Sequence, residues 1–161
     1  RIWVSGRFEL VEKGQPFAVV VDYAHTPDGV ENVLSLAKSL NPNRVITVFG
    51  CGGDRDKEKR PIMGETAARY SDEIILTSDN PRTEEPLQII EQIAAGCSGA
   101  SLHRVPDRGE AIRSAVKMAQ PGDIVMLLGK GHETTQTLRD RTIDFNDRIQ
   151  AEKALDDLPA L

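Results

Sequence analysis

The chain has 161 residues, of which 39% are hydrophobic and 28% are charged, a composition that suits one globular domain and excludes a disordered chain. There are 25 acidic and 20 basic residues, which gives a net charge of −5, and aromatic residues make up only 4%. These figures argue against a nucleic-acid-binding protein, which would need a basic face and aromatic stacking platforms.

The first half of the chain alternates short apolar runs with amphipathic stretches. The β-branched run at 17–23 predicts a buried strand, and Thr26-Pro27 predicts a helix start with Thr26 as the N-cap. The Asn-Pro-Asn sequence at 41–43 ends this helix before a second buried strand at 44–49. A helix at 61–70 and a strand at 73–77 are predicted to follow.

The second half repeats this alternation and then changes. The pattern predicts a helix at 86–96, a strand at 102–105, a helix at 108–119 and a strand at 123–128. Segments 134–138 and 141–145 predict a hairpin before a last helix from about 146 to 155. We therefore expect residues 1–161 to form a single α/β domain. Its fold would be Rossmann-like and doubly wound, with a mostly parallel sheet of about six strands flanked by helices, and a C-terminal hairpin.

Polar and glycine-rich clusters follow four of the predicted strands, at 22–25, 50–56, 78–82 and 129–133. Because a doubly wound sheet binds ligands beyond the carboxyl ends of its strands, we expect these clusters to line one rim. The glycines fit neither the dinucleotide-binding fingerprint nor the P-loop pattern, so the chain alone is not expected to hold a nucleoside triphosphate. Glycines that merely permit tight turns are the alternative.

Among the charged residues of these clusters, four are singled out as a set of two cations and two anions, namely Arg55, Asp79, Arg82 and Glu133. A guanidinium group suits a carboxylate and a carboxylate suits an ammonium group, so a pocket that offers both is complementary to an amino acid. The alternative is that the four residues pair with one another as solvated ion pairs.

Single histidines and cysteines give weaker signals. His25 and His132 are interpreted as hydrogen-bonding or packing residues, and we expect no metal site. Cys51 and Cys97 lack metal-ligand spacing, which favours free thiols in the cytoplasm. No apolar run approaches the ~20 residues of a membrane-spanning helix, so no membrane partner is expected. The chain begins without methionine or a signal-peptide pattern, and we expect it to be part of a longer protein.

Four motifs, taken in order, resemble the C-terminal domain of Mur ligases, and most closely that of the diaminopimelate-adding members. The motifs are D-Y-A-H-T-P at 22–27, F-G-C-G-G-D-R-D at 49–56, D-N-P-R at 79–82 and G-K-G-H-E at 129–133. The resemblance implies a three-domain enzyme that forms an amide bond through an acyl phosphate, with ATP and Mg²⁺. This chain would be its amino-acid-binding domain, inactive alone, while the N-terminal and central ATP-binding domains lie outside it.

The resemblance also implies roles for individual residues. Those expected to bind meso-diaminopimelate are Arg55, Asp79, Asn80, Pro81, Arg82, Gly129 and Glu133. Those expected to face the nucleotide are Arg7, Asp22 and His25, and the other domains would hold UDP-N-acetylmuramoyl-L-alanyl-D-glutamate. Ser5 stands where the family usually has proline.

Two alternatives to this interpretation remain, and the first belongs to a different functional class. One is a non-catalytic module of the same fold that binds another small molecule or a protein. The other is a different Mur ligase or a folate-type polyglutamate ligase, against which the D-N-P-R sequence at 79–82 argues.

Overall fold

A six-stranded sheet lies at the centre of the fold, which a computed structural model describes for residues 6–159. Its strands are β1 (Glu9–Leu10), β2 (Ala18–Asp22), β3 (Val45–Phe49), β4 (Glu73–Leu76), β5 (Ser101–Arg104) and β6 (Ile124–Leu128). Their order across the sheet is β1-β2-β6-β3-β4-β5, and all neighbours are parallel except β1, which is antiparallel to β2. The predicted doubly wound, mostly parallel sheet is confirmed. Ser5 lies outside the described residues.

Helices cover both faces of the sheet. They are α1 (Pro27–Ser39), α2 (Lys59–Tyr70), α3 (Pro86–Ala94), α4 (Arg108–Met118) and α5 (Asp147–Asp156). Helices α1, α2 and α3 pack with Val20 of β2 in one hydrophobic cluster, whereas α4 and α5 pack with Val19 and Val21 in the other. Because successive side chains of a strand point to opposite faces, a strand buried on both faces is a continuous apolar run.

The helix starts and the C-terminal hairpin agree with the sequence pattern in most details. Thr26 Oγ1 accepts a hydrogen bond from Gly29 N at 3.1 Å and caps α1. Helix α2 begins at Lys59, two residues before the predicted start at Pro61, because the first turn of a helix tolerates proline. Strands β7 (Thr135–Thr137) and β8 (Thr142–Asp144) form the predicted hairpin as a separate two-stranded sheet.

The strand order places the carboxyl ends of β2, β6, β3 and β4 side by side at one rim. The loops that continue from these ends carry the four polar clusters of the sequence. Within residues 6–159, none of the helices combines the length and the apolar character that crossing a bilayer requires.

Candidate functional site

The loops after β2, β3, β4 and β6 enclose one open cleft at the rim, with a volume of about 500 Å³. We call it the rim cleft. The residues predicted to bind the amino acid that line it are Arg55, Asp79, Asn80, Arg82, Gly129 and Glu133. Pro81 lies in the same loop but is buried and does not line the cleft. The structure therefore brings the four sequence clusters to a single site.

A second cleft of about 440 Å³ adjoins the rim cleft and contains the residues predicted to face a nucleotide, Arg7, Asp22 and His25. Arg7 and His25 are exposed. The Asp22 carboxylate accepts hydrogen bonds from Phe8 N at 2.7 Å and from Ala24 N at 2.8 Å. Asp22 thus shapes the loop beside this second cleft, while Arg7 and His25 present polar groups to it.

The four charged residues singled out from the sequence do not pair with one another within residues 6–159. Among residues 6–159, neither Arg55 nor Arg82 forms an ion pair, and the two carboxylates share a different cation, Lys130. Lys130 Nζ lies 3.2 Å from Glu133 Oε1 and 3.8 Å from Asp79 Oδ1. The alternative of mutual pairing is therefore not observed, and both guanidinium groups remain available to an anionic ligand.

Lys130 is a functional candidate that sequence reasoning missed. Its side chain is fully buried, and its Nζ also donates to Asn80 Oδ1 at 3.1 Å. Lysine is rarely buried without partners, because removing an ammonium group from water is costly. Its position directly after a buried strand, between two glycines, was the available signal.

Asp79 is buried at the floor of the rim cleft, where its backbone carbonyl accepts a hydrogen bond from Gln136 Nε2 at 2.8 Å. Burial raises the pKa of the Asp79 carboxyl above its usual value, although the nearby cations Arg108 and Lys130 oppose this effect. Gly129 lies against this carboxylate: its φ is +110°, and a Cβ there would approach Asp79 Oδ2 to 3.0 Å. A glycine at 129 therefore admits the carboxylate into the cleft.

Arg82 has a left-handed backbone, with φ of +52°. Such a conformation costs a non-glycine residue about 1–3 kcal/mol and persists where the surroundings impose it. Here the Arg82 backbone N donates to Thr137 O at 3.1 Å, and Nη1 donates to Gly53 O at 2.8 Å. The C-terminal hairpin and the glycine loop together hold this guanidinium group at the wall of the cleft.

Gly50 and Gly53 lie where other backbone segments come very close. A Cβ on Gly53 would lie 1.8 Å from Pro81 O, and one on Gly50 would lie 2.1 Å from Thr77 O. Gly53 N also donates to Asn80 O at 2.7 Å. These glycines are therefore needed because the loops after β3 and β4 approach each other closely.

An ion pair between buried Arg60 and partly buried Glu84 supports the glycine loop. Arg60 Nη1 and Nη2 donate to the Glu84 carboxylate at 2.9 and 2.8 Å, and Nη2 also donates to Gly52 O at 2.9 Å. Glu84 Oε2 accepts from Asp54 N at 2.5 Å. The hydrogen bond from Arg60 lowers the pKa of Glu84 to about 2. The pair thereby fixes the segment that carries Arg55.

We expect the stabilising contribution of Glu84 to depend on pH in the acid range. Because the pKa of Glu84 falls from 4.5 to about 2 on folding, its contribution is complete above pH 4.5 and is lost as the pH falls towards 2. Urea unfolding of wild type and Glu84→Gln at pH 7, 4 and 3 should show a stability difference that shrinks with acidification. Glu85→Gln, an exposed neighbour, is the control, and a difference that stays constant with pH would contradict the assignment.

Known proteins resemble this chain over nearly its whole length. A curated relative from Solibacter usitatus and one from Halalkalibacterium halodurans are both named UDP-N-acetylmuramoyl-L-alanyl-D-glutamate–2,6-diaminopimelate ligase. They are 58% and 53% identical, each over 94% of this chain and 31% of its own length. A solved structure with the same name is 43% identical, with a TM-score of 0.87 over 97% of this chain and 32% of that chain.

The chain spans about a third of the length of these curated relatives. Residues 6–131 match the family described as Mur ligase, glutamate ligase domain. The chain therefore belongs to the Mur ligase, glutamate ligase domain family.

Proposed function

We propose that this chain is the C-terminal, amino-acid-binding domain of a ligase that joins meso-diaminopimelate to UDP-N-acetylmuramoyl-L-alanyl-D-glutamate in peptidoglycan biosynthesis. In this proposal residues 1–161 form one domain, and the N-terminal and central domains of the ligase lie outside the chain. The observation that carries the proposal is that the guanidinium groups of Arg55 and Arg82, which form no ion pair within residues 6–159, line the same cleft as the Asp79 and Glu133 carboxylates. The names of the curated relatives agree with this substrate.

The charges of the rim cleft match the distal end of diaminopimelate. That end carries both an ammonium group and a carboxylate, so it is itself a zwitterion. In our proposal Arg55 and Arg82 bind the carboxylate, while Glu133 and Asp79 bind the ammonium group. A volume of about 500 Å³ is within the usual range for small-molecule sites. Lysine has no distal carboxylate, so it would leave both guanidinium groups without a partner.

The remaining residues of the predicted set shape this pocket. Asn80 and Gly129 line the cleft beside the charged groups. Buried Pro81 accepts a hydrogen bond from Glu84 N at 3.0 Å through its carbonyl, within the turn that carries Arg82. We assign Asn80 and Gly129 to ligand contact and Pro81 to the geometry of the turn.

We propose that the second cleft faces ATP from one side. The residues present fit such a role, because exposed Arg7 offers a cation to phosphate groups and Val33 and Leu36 offer apolar surface to a base. His25 Nδ1 contacts Tyr23 O at 3.0 Å, which holds the ring at the edge shared by the two clefts. When bound, ATP supplies the activation of the acceptor carboxylate. We assign Mg²⁺ and most ATP contacts to the central domain.

The contribution of this domain to the reaction would then be orientation. Holding the distal zwitterion leaves the other amino group of diaminopimelate directed out of the cleft, towards the activated carboxylate. Fixing two reactants in this way removes a large part of the entropic barrier of a bimolecular reaction. We also place the enzyme in the cytoplasm, where ATP is available. The free thiols of Cys51 and Cys97 agree with this reducing compartment.

Steady-state kinetics of the full-length ligase tests this proposal. With meso-diaminopimelate we expect product formation with a kcat/KM at least about a thousandfold higher than with L-lysine, because polar sites reject a substrate that leaves them unpaired. The isolated chain should neither hydrolyse ATP nor form product. Equal use of lysine would refute the substrate, and absence of any turnover by the full-length protein would favour the non-catalytic binding module.

A further inference from the structure

One buried cation connects the two loops that form the floor of the rim cleft. Lys130 follows β6, and its Nζ lies among three oxygen atoms of other residues: Asn80 Oδ1 at 3.1 Å, Glu133 Oε1 at 3.2 Å and Asp79 Oδ1 at 3.8 Å. Its side chain has no exposure to solvent. Lys130 is therefore held in place by the same side chains that face the ligand.

These contacts determine which way the Asn80 carboxamide is oriented. Asn80 Oδ1 accepts from Lys130 Nζ and also from Thr137 N, at 2.9 Å. An ammonium group and a backbone N–H can only donate, so the atom that both of them contact has to be the oxygen. The amide nitrogen is thereby turned away from Lys130. Within residues 6–159, Asn80 Nδ2 donates no hydrogen bond, although Asn80 lines the cleft.

We infer that Lys130 is a positioning residue with two roles. It fixes Asn80 as a hydrogen-bond donor to the carboxylate of the bound amino acid, and it holds the Glu133 carboxylate towards the ammonium group of that amino acid. The inference rests on the proposed function of the cleft. Without Lys130, only Thr137 N would hold Asn80 Oδ1, so the orientation of the amide would be less strictly fixed and its nitrogen would be presented to an anion less often. Lys130 itself is too deeply buried to contact the ligand directly.

Lys130 also affects the pKa of Asp79, and this effect distinguishes a positioning role from structural support alone. The charged groups around Asp79 are Arg108, Lys130, Glu133 and Asp147. The two cations lower the pKa of Asp79 and the two carboxylates raise it, against a background in which burial raises it most. Removing the charge of Lys130 would raise the pKa of Asp79 further, so Asp79 would become protonated at a higher pH. A neutral Asp79 attracts an ammonium group less strongly.

The test compares Lys130→Met with wild type in the full-length ligase. We expect the KM for meso-diaminopimelate to rise about 10- to 100-fold, the effect of losing one charge-assisted hydrogen bond. The KM values for ATP and the UDP-linked substrate should stay within about twofold. The acid limb of the pH profile of kcat/KM for diaminopimelate should move to higher pH. Lys117→Met, at an exposed position of α4, is the matched control.

An unchanged KM for diaminopimelate, or an equal rise in all three KM values with an unmoved acid limb, would overturn the role of Lys130. If Lys130→Met does not fold, Asn80→Asp decides, because it retains an oxygen for Lys130 and Thr137 but replaces the donor with an acceptor. Asn80→Asp should raise the KM for diaminopimelate at least tenfold, and a value within twofold of wild type would contradict us. A wild-type ligase that does not use diaminopimelate would instead refute the proposed function.

Discussion

Arg82→Ala in the full-length ligase is expected to lower kcat/KM for meso-diaminopimelate by about two to four powers of ten. The guanidinium group of Arg82 lies at the wall of the rim cleft, and its removal would leave the distal carboxylate of the substrate with a single cation, Arg55. Arg82→Lys should recover only part of the loss, since an ammonium group cannot bind a carboxylate with two parallel hydrogen bonds. Initial-rate kinetics with varied diaminopimelate provides the measurement.

The same variants should separate substrate recognition from damage to the loop. Because Arg82 Nη1 also donates to Gly53 O, some loosening of the glycine loop is expected. Loosening of the loop alone would reduce kcat/KM for diaminopimelate and for lysine by the same factor. Loss of carboxylate recognition would instead reduce the ratio of kcat/KM for diaminopimelate to kcat/KM for lysine. The KM for the UDP-linked substrate should be unaffected, as in the control Arg113→Ala at an exposed site on α4. Equal losses for diaminopimelate and the UDP-linked substrate would exclude the assigned role.

The largest effect on stability is expected for Arg108→Met. Arg108 and Asp147 have no side-chain exposure, and two hydrogen bonds join them, at 2.8 Å from Nε to Oδ1 and at 2.7 Å from Nη2 to Oδ2. Arg108 also donates to Ser78 O and Leu128 O, both at 3.0 Å. Removing Arg108 leaves a buried carboxylate and two carbonyl groups without their partner, which should cost about 3–5 kcal/mol.

Urea unfolding of the 161-residue chain at neutral pH measures this loss. The double variant Arg108→Met/Asp147→Leu should recover part of it, because replacing both members of a buried ion pair removes the uncompensated charge. Arg113→Met, on the exposed side of the same helix, serves as the control. A loss below about 1 kcal/mol for Arg108→Met would mean that water reaches Asp147 and that the pair is not a structural element.

Most of the fold could be predicted from the sequence because its strongest signals are local. Strands β3 and β6 are buried on both faces, and their residues are apolar except for Thr47 of β3. Thr26-Pro27 contains both the cap and the first residue of α1. Strand β1 was missed, since it has two residues and exists only by pairing with β2.

The candidate site could be predicted in part, for a similar reason. A parallel sheet brings the ends of its strands to one rim, so residues directly after the strands are expected to meet there. The burial of Lys130 and Arg108 could not be predicted in this way, because it depends on partners that are distant in sequence, in addition to Glu133 close to Lys130. Lys130 binds Asn80 and Arg108 binds Asp147, and a charged residue in an isolated sequence is normally expected at the surface.

The acidic and basic sides of the rim cleft differ in how much conformational freedom their side chains lose when a ligand binds. On the acidic side, Asp79 and the lysine behind it are already immobilised by burial. On the basic side, Arg82 is held by Gly53 O, whereas exposed Arg55 makes a hydrogen bond, within residues 6–159, only to its neighbour Asp54 O, at 3.1 Å. Ordering a long arginine side chain costs about 1–2 kcal/mol of conformational entropy. The two ends of the ligand would therefore be bound differently. The ammonium group would bind to a preorganised part of the cleft, whereas the carboxylate would order the Arg55 side chain on binding.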